Sequence, residues 1–114
     1  MDAPEADDFE DNIPDGAAVF PLIPEELGIH PLLLAVLHAY VFLDGSDEGL
    51  VHRAAANEAL EYLAGYLQRL QGTELQRTQE DFETLIGYGK EEKWPKTMIH
   101  FLRSFLQDNG VMPE

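Results

Sequence analysis

The fold is decided by one apolar stretch in the first half of the chain, which reads PLLLAVLHAYVFL at residues 31–43. At 100° per residue, its leucine, valine and aromatic side chains cover every side of a helix. A helix that is apolar on all sides is normally buried on all sides. Pro31 suits the first helical position, where its missing N–H costs no hydrogen bond. The stretch therefore predicts a central helix with no side exposed to water, covered by the rest of the chain or by a second subunit.

Three further helices are predicted, at about residues 47–71, 74–88 and 95–108. Each repeats apolar residues at helical spacing and follows a turn or a capping residue, such as Ser46 before the first of them. No stretch alternates polar and apolar residues with the period of a strand. The sequence predicts an all-α fold, a small compact bundle of four helices.

The residues before the first helix divide into two parts. Residues 1–50 carry 12 acidic side chains and no Lys or Arg, and seven of those acids lie within residues 1–16. With so little apolar surface, residues 1–16 cannot offset the entropy lost on ordering. We therefore predict a disordered acidic tail at 1–16 and a single helical domain at 17–114. Residues 20–23 are apolar and broken by proline, which predicts an extended arm laid over the core.

The composition excludes several classes of function. Seven basic against 22 acidic residues give a net charge of −15, which opposes binding to the phosphate backbone of nucleic acids. Without cysteine, the chain has no disulfide and no thiol nucleophile. Residues 27–43 lack charged side chains, but their minimal length and acidic flanks argue against a membrane span. We expect a cytoplasmic protein that binds neither nucleic acid directly nor membranes. Because no nucleophile-elbow or phosphate-loop motif occurs, we also expect no enzymatic activity.

Two histidines are candidates for a metal or ligand site. His38 and His52 lie at equal distances on either side of Gly45, so an antiparallel hairpin folded about this glycine brings them to the same height. His52 also falls on the midline of the apolar stripe of the second helix, which predicts that it points inward. Two inward imidazoles can bind a metal ion or a ligand, or exchange a proton. The alternative is structural: neutral, buried imidazoles that hydrogen-bond to a carbonyl or a tyrosine.

A second candidate site surrounds the single tryptophan of the chain. Lys93 and Lys96 lie on either side of Trp94, and Arg103 follows seven residues after Lys96. An exposed tryptophan among basic side chains is typical of a partner-binding surface. The alternative is that Trp94 covers one end of the core, while the basic side chains offset a negative surface.

Two functions from different classes remain open at this point. The first is a non-enzymatic, acidic, helical protein that acts as an interaction or regulatory module and docks on a basic protein partner. The second is a metal- or ligand-binding bundle that uses His38 and His52; apart from such a metal, no cofactor is expected. The excess of apolar surface on residues 31–43 predicts a homodimer, unless residues 20–23 fold back and cover that helix within one chain.

Overall fold

The computed structural model describes residues 13–112, and within that range the chain is entirely helical, with no strand. The predicted all-α bundle of four helices is confirmed. Among these residues, no helix is long and apolar enough to cross a membrane. A single 3₁₀ turn at Glu25–Leu27 precedes the helices, which are α1 (Pro31–Gly45), α2 (Arg53–Leu67), α3 (Gly72–Glu91) and α4 (Lys96–Asp108).

The second helix begins at Arg53 instead of about residue 47. The hydroxyl of Ser46, the expected capping group, accepts a hydrogen bond from the Ala18 N–H at 2.9 Å and is not the N-cap. Residues 47–51 form turns instead, in which the Asp47 carbonyl accepts from the Leu50 and Val51 N–H groups. The N-cap of α2 is His52. This later start changes which residues of the second helix face inward.

The core is built by three of the helices and the arm. The buried apolar side chains come from α1, α3, α4 and the segment before α1, and they form one cluster: Phe20, Ile29, Leu33, Leu37, Phe82, Leu85, Leu102, Phe105 and Leu106. In α2, only Ala56 is buried, although this helix packs along α1. The bundle therefore consists of a three-helix core with α2 attached on the outside of α1.

The predicted apolar arm folds back on the core through Phe20, which is almost completely buried. Its ring meets those of His38 and Trp94 edge to face, with centroids 5.3 and 5.9 Å apart. Residues 1–12 of the predicted tail lie outside the described residues. Residues 13–16, which we also assigned to the tail, end in a turn whose Gly16 carbonyl accepts a hydrogen bond from Asp47 N–H at 2.9 Å.

The prediction that the first helix has no side exposed to water is wrong. Only Leu33 and Leu37 of α1 are buried, whereas Leu32 is 71 % exposed and Phe42 is 41 % exposed. The N-terminal half of α1 is exposed because an open groove separates it from the end of α2. One flank of α1 therefore presents apolar side chains to solvent.

Candidate functional site

The groove beside α1 is the main candidate site in the described part of the chain. It is a cavity of about 560 Å³ between the first turns of α1, the segment joining α2 to α3, and the first turns of α3. That volume lies within the range of about 300–1,000 Å³ that is usual for binding pockets. Its apolar walls consist of Leu32, Leu33, Val36, Leu67 and Leu70, and its polar rim of His30, Thr73, Glu74, Arg77 and Thr78.

Local sequence shapes both walls of the groove. Leu32 and Val36 lie one turn apart on α1, so their side chains share one side of the helix. The opposite wall is made where α2 ends in a turn, in which the Leu70 N–H donates to the Leu67 carbonyl at 3.0 Å. Gly72 follows with a φ of 60°, a left-handed conformation that glycine adopts without strain, and α3 starts there. The two walls therefore come from a helix and from a tight turn, both of which are fixed by backbone hydrogen bonds.

The rim is held by a network around the buried carboxylate of Asp81. One carboxylate oxygen accepts from the His30 backbone N–H at 3.1 Å, and the other accepts from Nε of Arg77 at 3.2 Å. Arg77 also donates to the Gly28 carbonyl at 3.0 Å, so the network ties α3 to the segment before α1. The charge of Arg77 is thus balanced by Asp81. Among the groups that line the groove, the carboxylate of Glu74 is left without a balancing cation.

His30 is the N-cap of α1. Its Nδ1 accepts a hydrogen bond from the Leu32 N–H at 3.1 Å and so closes the start of α1. Asp81 and Arg77 were missed by sequence reasoning. A signal was available, because the two residues stand four apart, the spacing of helical ion pairs, and Asp81 directly precedes the core residue Phe82.

The predicted pair of inward histidines is not formed. His38 is half-buried against Phe20, and burial lowers the pKa of its imidazole below the ordinary value. His52 is exposed, because α2 starts after it, and its Nδ1 caps that helix by accepting from the Ala55 N–H at 3.3 Å. Across residues 13–112, the structure gathers no group of three His, Asp or Glu side chains that could hold a metal ion.

The cluster around Trp94 separates into an inward and an outward part. The Trp94 ring packs on those of Phe20 and Tyr88, with centroids 5.9 and 5.7 Å away, and the backbone N–H of Trp94 donates to the Gly89 carbonyl at 2.9 Å. These contacts match the structural alternative, in which the indole covers one end of the core. The basic side chains of Lys93, Lys96 and Arg103 are exposed.

No family model, curated protein or solved structure matches this chain. What the chain binds therefore has to follow from its own groove, rim and surface charge.

The surface charge is predominantly negative. Every acidic side chain in the described range is exposed except Asp81. Several bases are engaged within the chain: Arg53 donates to the Leu43 and Ser46 carbonyls at 3.3 and 3.1 Å, and the guanidinium of Arg69 lies 4.8 Å from the centre of the Tyr66 ring. Residues 13–52 carry six exposed carboxylates and no Lys or Arg.

Proposed function

We propose that this chain is a non-enzymatic, cytoplasmic interaction module that docks on a basic protein partner. The observation that carries the proposal is the acidic surface: every described carboxylate but one is exposed, and residues 13–52 contain no Lys or Arg. Surface charge of one sign repels itself and destabilises a compact chain. A basic partner removes that repulsion on binding and is attracted to the surface during its approach. The lack of cysteine agrees with a reducing compartment.

One group of exposed carboxylates lies where the first described residues meet the loop after α1. The backbone bond from Asp47 to the Gly16 carbonyl and the bond from Ala18 to the Ser46 hydroxyl hold the first described residues against the loop after α1. We call the exposed carboxylates carried by these two segments the acidic end; they are Asp15, Asp44, Asp47 and Glu48. Neighbouring like charges at a fixed position favour a cationic ligand over solvent.

Two polar groups at or beside the groove, His30 and Asp81, are already engaged, which favours binding over catalysis. The imidazole of His30 caps α1. The carboxylate of Asp81 is shared between Arg77 and a backbone N–H. A general base has to be available to take a proton from a substrate, and these two groups are committed to holding the rim together.

The proposal is tested by capture from a native lysate with three proteins: the natural chain, the variant D44N/D47N/E48Q at the acidic end, and the control variant E83Q/E91Q/E92Q on α3 and its C-cap. Both variants remove three exposed negative charges. We expect the natural chain and the control to capture the same basic protein at low salt, with the complex weakened at high salt. The acidic-end variant should capture much less of it. Capture that is indifferent to salt, or equal for all three proteins, would contradict the proposal.

A further inference from the structure

We propose that the groove between α1 and the α2–α3 turn is the docking site for one amphipathic, basic helix of a partner protein. This inference rests on the proposed function, since it specifies where and how the basic partner is held. A helix that is laid in an apolar groove inserts side chains spaced at i, i+3, i+4 and i+7. The groove has the apolar walls and the rim charge that such a helix requires.

The first observation is apolar exposure at the groove itself. Leu32 is 71 % exposed and forms one wall, next to Leu33, which belongs to the core. Leu67, the last residue of α2, and Leu70, in the turn that follows, form the opposite wall, so apolar side chains line both sides of the groove. Leu32 and Val36 are about 6 Å apart along the axis of α1, at about 1.5 Å per residue. Along α1 the groove therefore spans about one turn of a docked helix, which is enough for two anchoring side chains.

The second observation is the charge around the groove. Arg77 would repel a basic helix if it were free, but Asp81 and the Gly28 carbonyl hold its guanidinium. Glu74 lies on the rim, and Glu25 and Glu26 are exposed on the 3₁₀ turn that leads to Gly28. A ligand that fills the apolar walls and places Lys or Arg at the edge would meet the carboxylate of Glu74 there. An acidic ligand would meet repulsion at the same point.

The charge also argues against a second copy as the occupant. Each chain has a net charge of −15, and its residues 1–50 carry no Lys or Arg. A two-fold interface brings the same patch of both copies together. In this case it would place the Glu74 carboxylates and the two acidic halves side by side. A basic partner forms the opposite arrangement, in which apolar contact and charge attraction act together.

The experiment measures fluorescence anisotropy with three labelled peptides of equal length. The first has leucines at i, i+3, i+4 and i+7 and lysines elsewhere, the second has the same composition in scrambled order, and the third has glutamate in place of lysine. The protein variants are Leu32→Asp in the groove and Leu22→Asp as the matched control, because Leu22 is 63 % exposed and lies outside the groove. Leu70→Ala provides a second groove variant that adds no charge.

We expect the leucine–lysine helix to bind the natural chain and the control alike, and to bind both groove variants at least about tenfold more weakly, a loss of about 1.4 kcal/mol. The added carboxylate of Leu32→Asp attracts lysine, so weaker binding to that variant has to come from lost apolar contact. The scrambled and glutamate peptides should bind more weakly than the leucine–lysine helix.

Other outcomes overturn the inference in distinguishable ways. If the leucine–lysine helix binds every protein equally, or the scrambled peptide binds as well, the groove is not the site, although binding to a basic partner stands. Equal binding of the glutamate peptide would refute the role of charge at the rim. If no lysine peptide binds, both this inference and the proposed function fail. A natural chain that is dimeric by light scattering and becomes monomeric with Leu32→Asp would show that a second copy fills the groove.

Discussion

The substitution Asp81→Ala tests the network that fixes the rim of the groove. Asp81 is 6 % exposed, and its two oxygens accept from the backbone of His30 and from the side chain of Arg77. Alanine removes both acceptors at once. The His30 N–H loses its partner, and Arg77 keeps only the Gly28 carbonyl. We therefore expect the contact between α3 and the segment before α1 to weaken.

The expected loss can be worked from these two contacts. A hydrogen bond to a charged group contributes about 1.5–3 kcal/mol. The ion pair adds less, about 0–1 kcal/mol, because the Arg77 side chain is 52 % exposed and solvent screens it. The free energy of unfolding should therefore fall by about 1.5–4 kcal/mol, out of the 5–15 kcal/mol that is usual for a domain, and Tm by roughly 6–32 °C.

Urea unfolding followed by the fluorescence of Trp94, the single tryptophan, measures this loss. Glu80→Ala is the matched control, because it removes a neighbouring exposed carboxylate from the same helix. Arg77→Ala should cost less than Asp81→Ala, since the carboxylate still accepts from the His30 N–H. A loss below about 0.5 kcal/mol for Asp81→Ala, the range of ordinary surface substitutions, would refute the reasoning that the network ties α3 to the start of α1.

Three further predictions concern the core. Gly89→Ala should destabilise the protein by about 1–3 kcal/mol, because the added methyl would overlap the ring of Trp94. Gly87→Ala, in open space on the same helix, should stabilise it by up to about 1 kcal/mol. Equal effects of the two substitutions in thermal unfolding would contradict this packing. Since burial lowers the pKa of His38, the unfolded chain binds more protons than the folded one just below the ordinary value of 6.5. Stability should therefore fall as pH drops from about 7 through this window, and His38→Gln should flatten that fall in urea unfolding at a series of pH values. Leu37→Ala, at a completely buried position in α1, should cost about 2–5 kcal/mol, and a chemical denaturation loss below about 1 kcal/mol would mean that α1 does not form the core.

The helices and most of the core follow from short-range patterns. The apolar residues of α3 and α4 repeat at helical spacing, and those that the sequence places on one face, such as Phe82, Leu85 and Phe105, are buried together. The start of α2 could not be predicted in this way. Ser46 resembles a local cap, but its hydroxyl accepts a hydrogen bond from the backbone N–H of Ala18, which is 28 residues away in the sequence. A rule based on neighbouring residues cannot detect that competition.

The error at the start of α2 also explains the error at the candidate histidine site. The predicted inward direction of His52 depended on a helix running through residue 47, and at the N-cap the same side chain turns to its own backbone. The groove was not predictable for a related reason. It exists because α1 and the end of α2 stay apart at one end, and no periodicity within a single helix reports the distance between two helices.

The apolar residues of α1 have two different roles, one in the core and one at the groove. Leu33 and Leu37 form the core, and their burial stabilises the fold. Leu32 and Val36 form a groove wall, and most of the Leu32 side chain remains exposed to water. Burial of that leucine by a partner would contribute to binding through the same effect that stabilises the core. Because Asp81 neutralises Arg77 at the rim, this apolar contribution and the attraction of the neighbouring carboxylates for a basic helix act in the same direction.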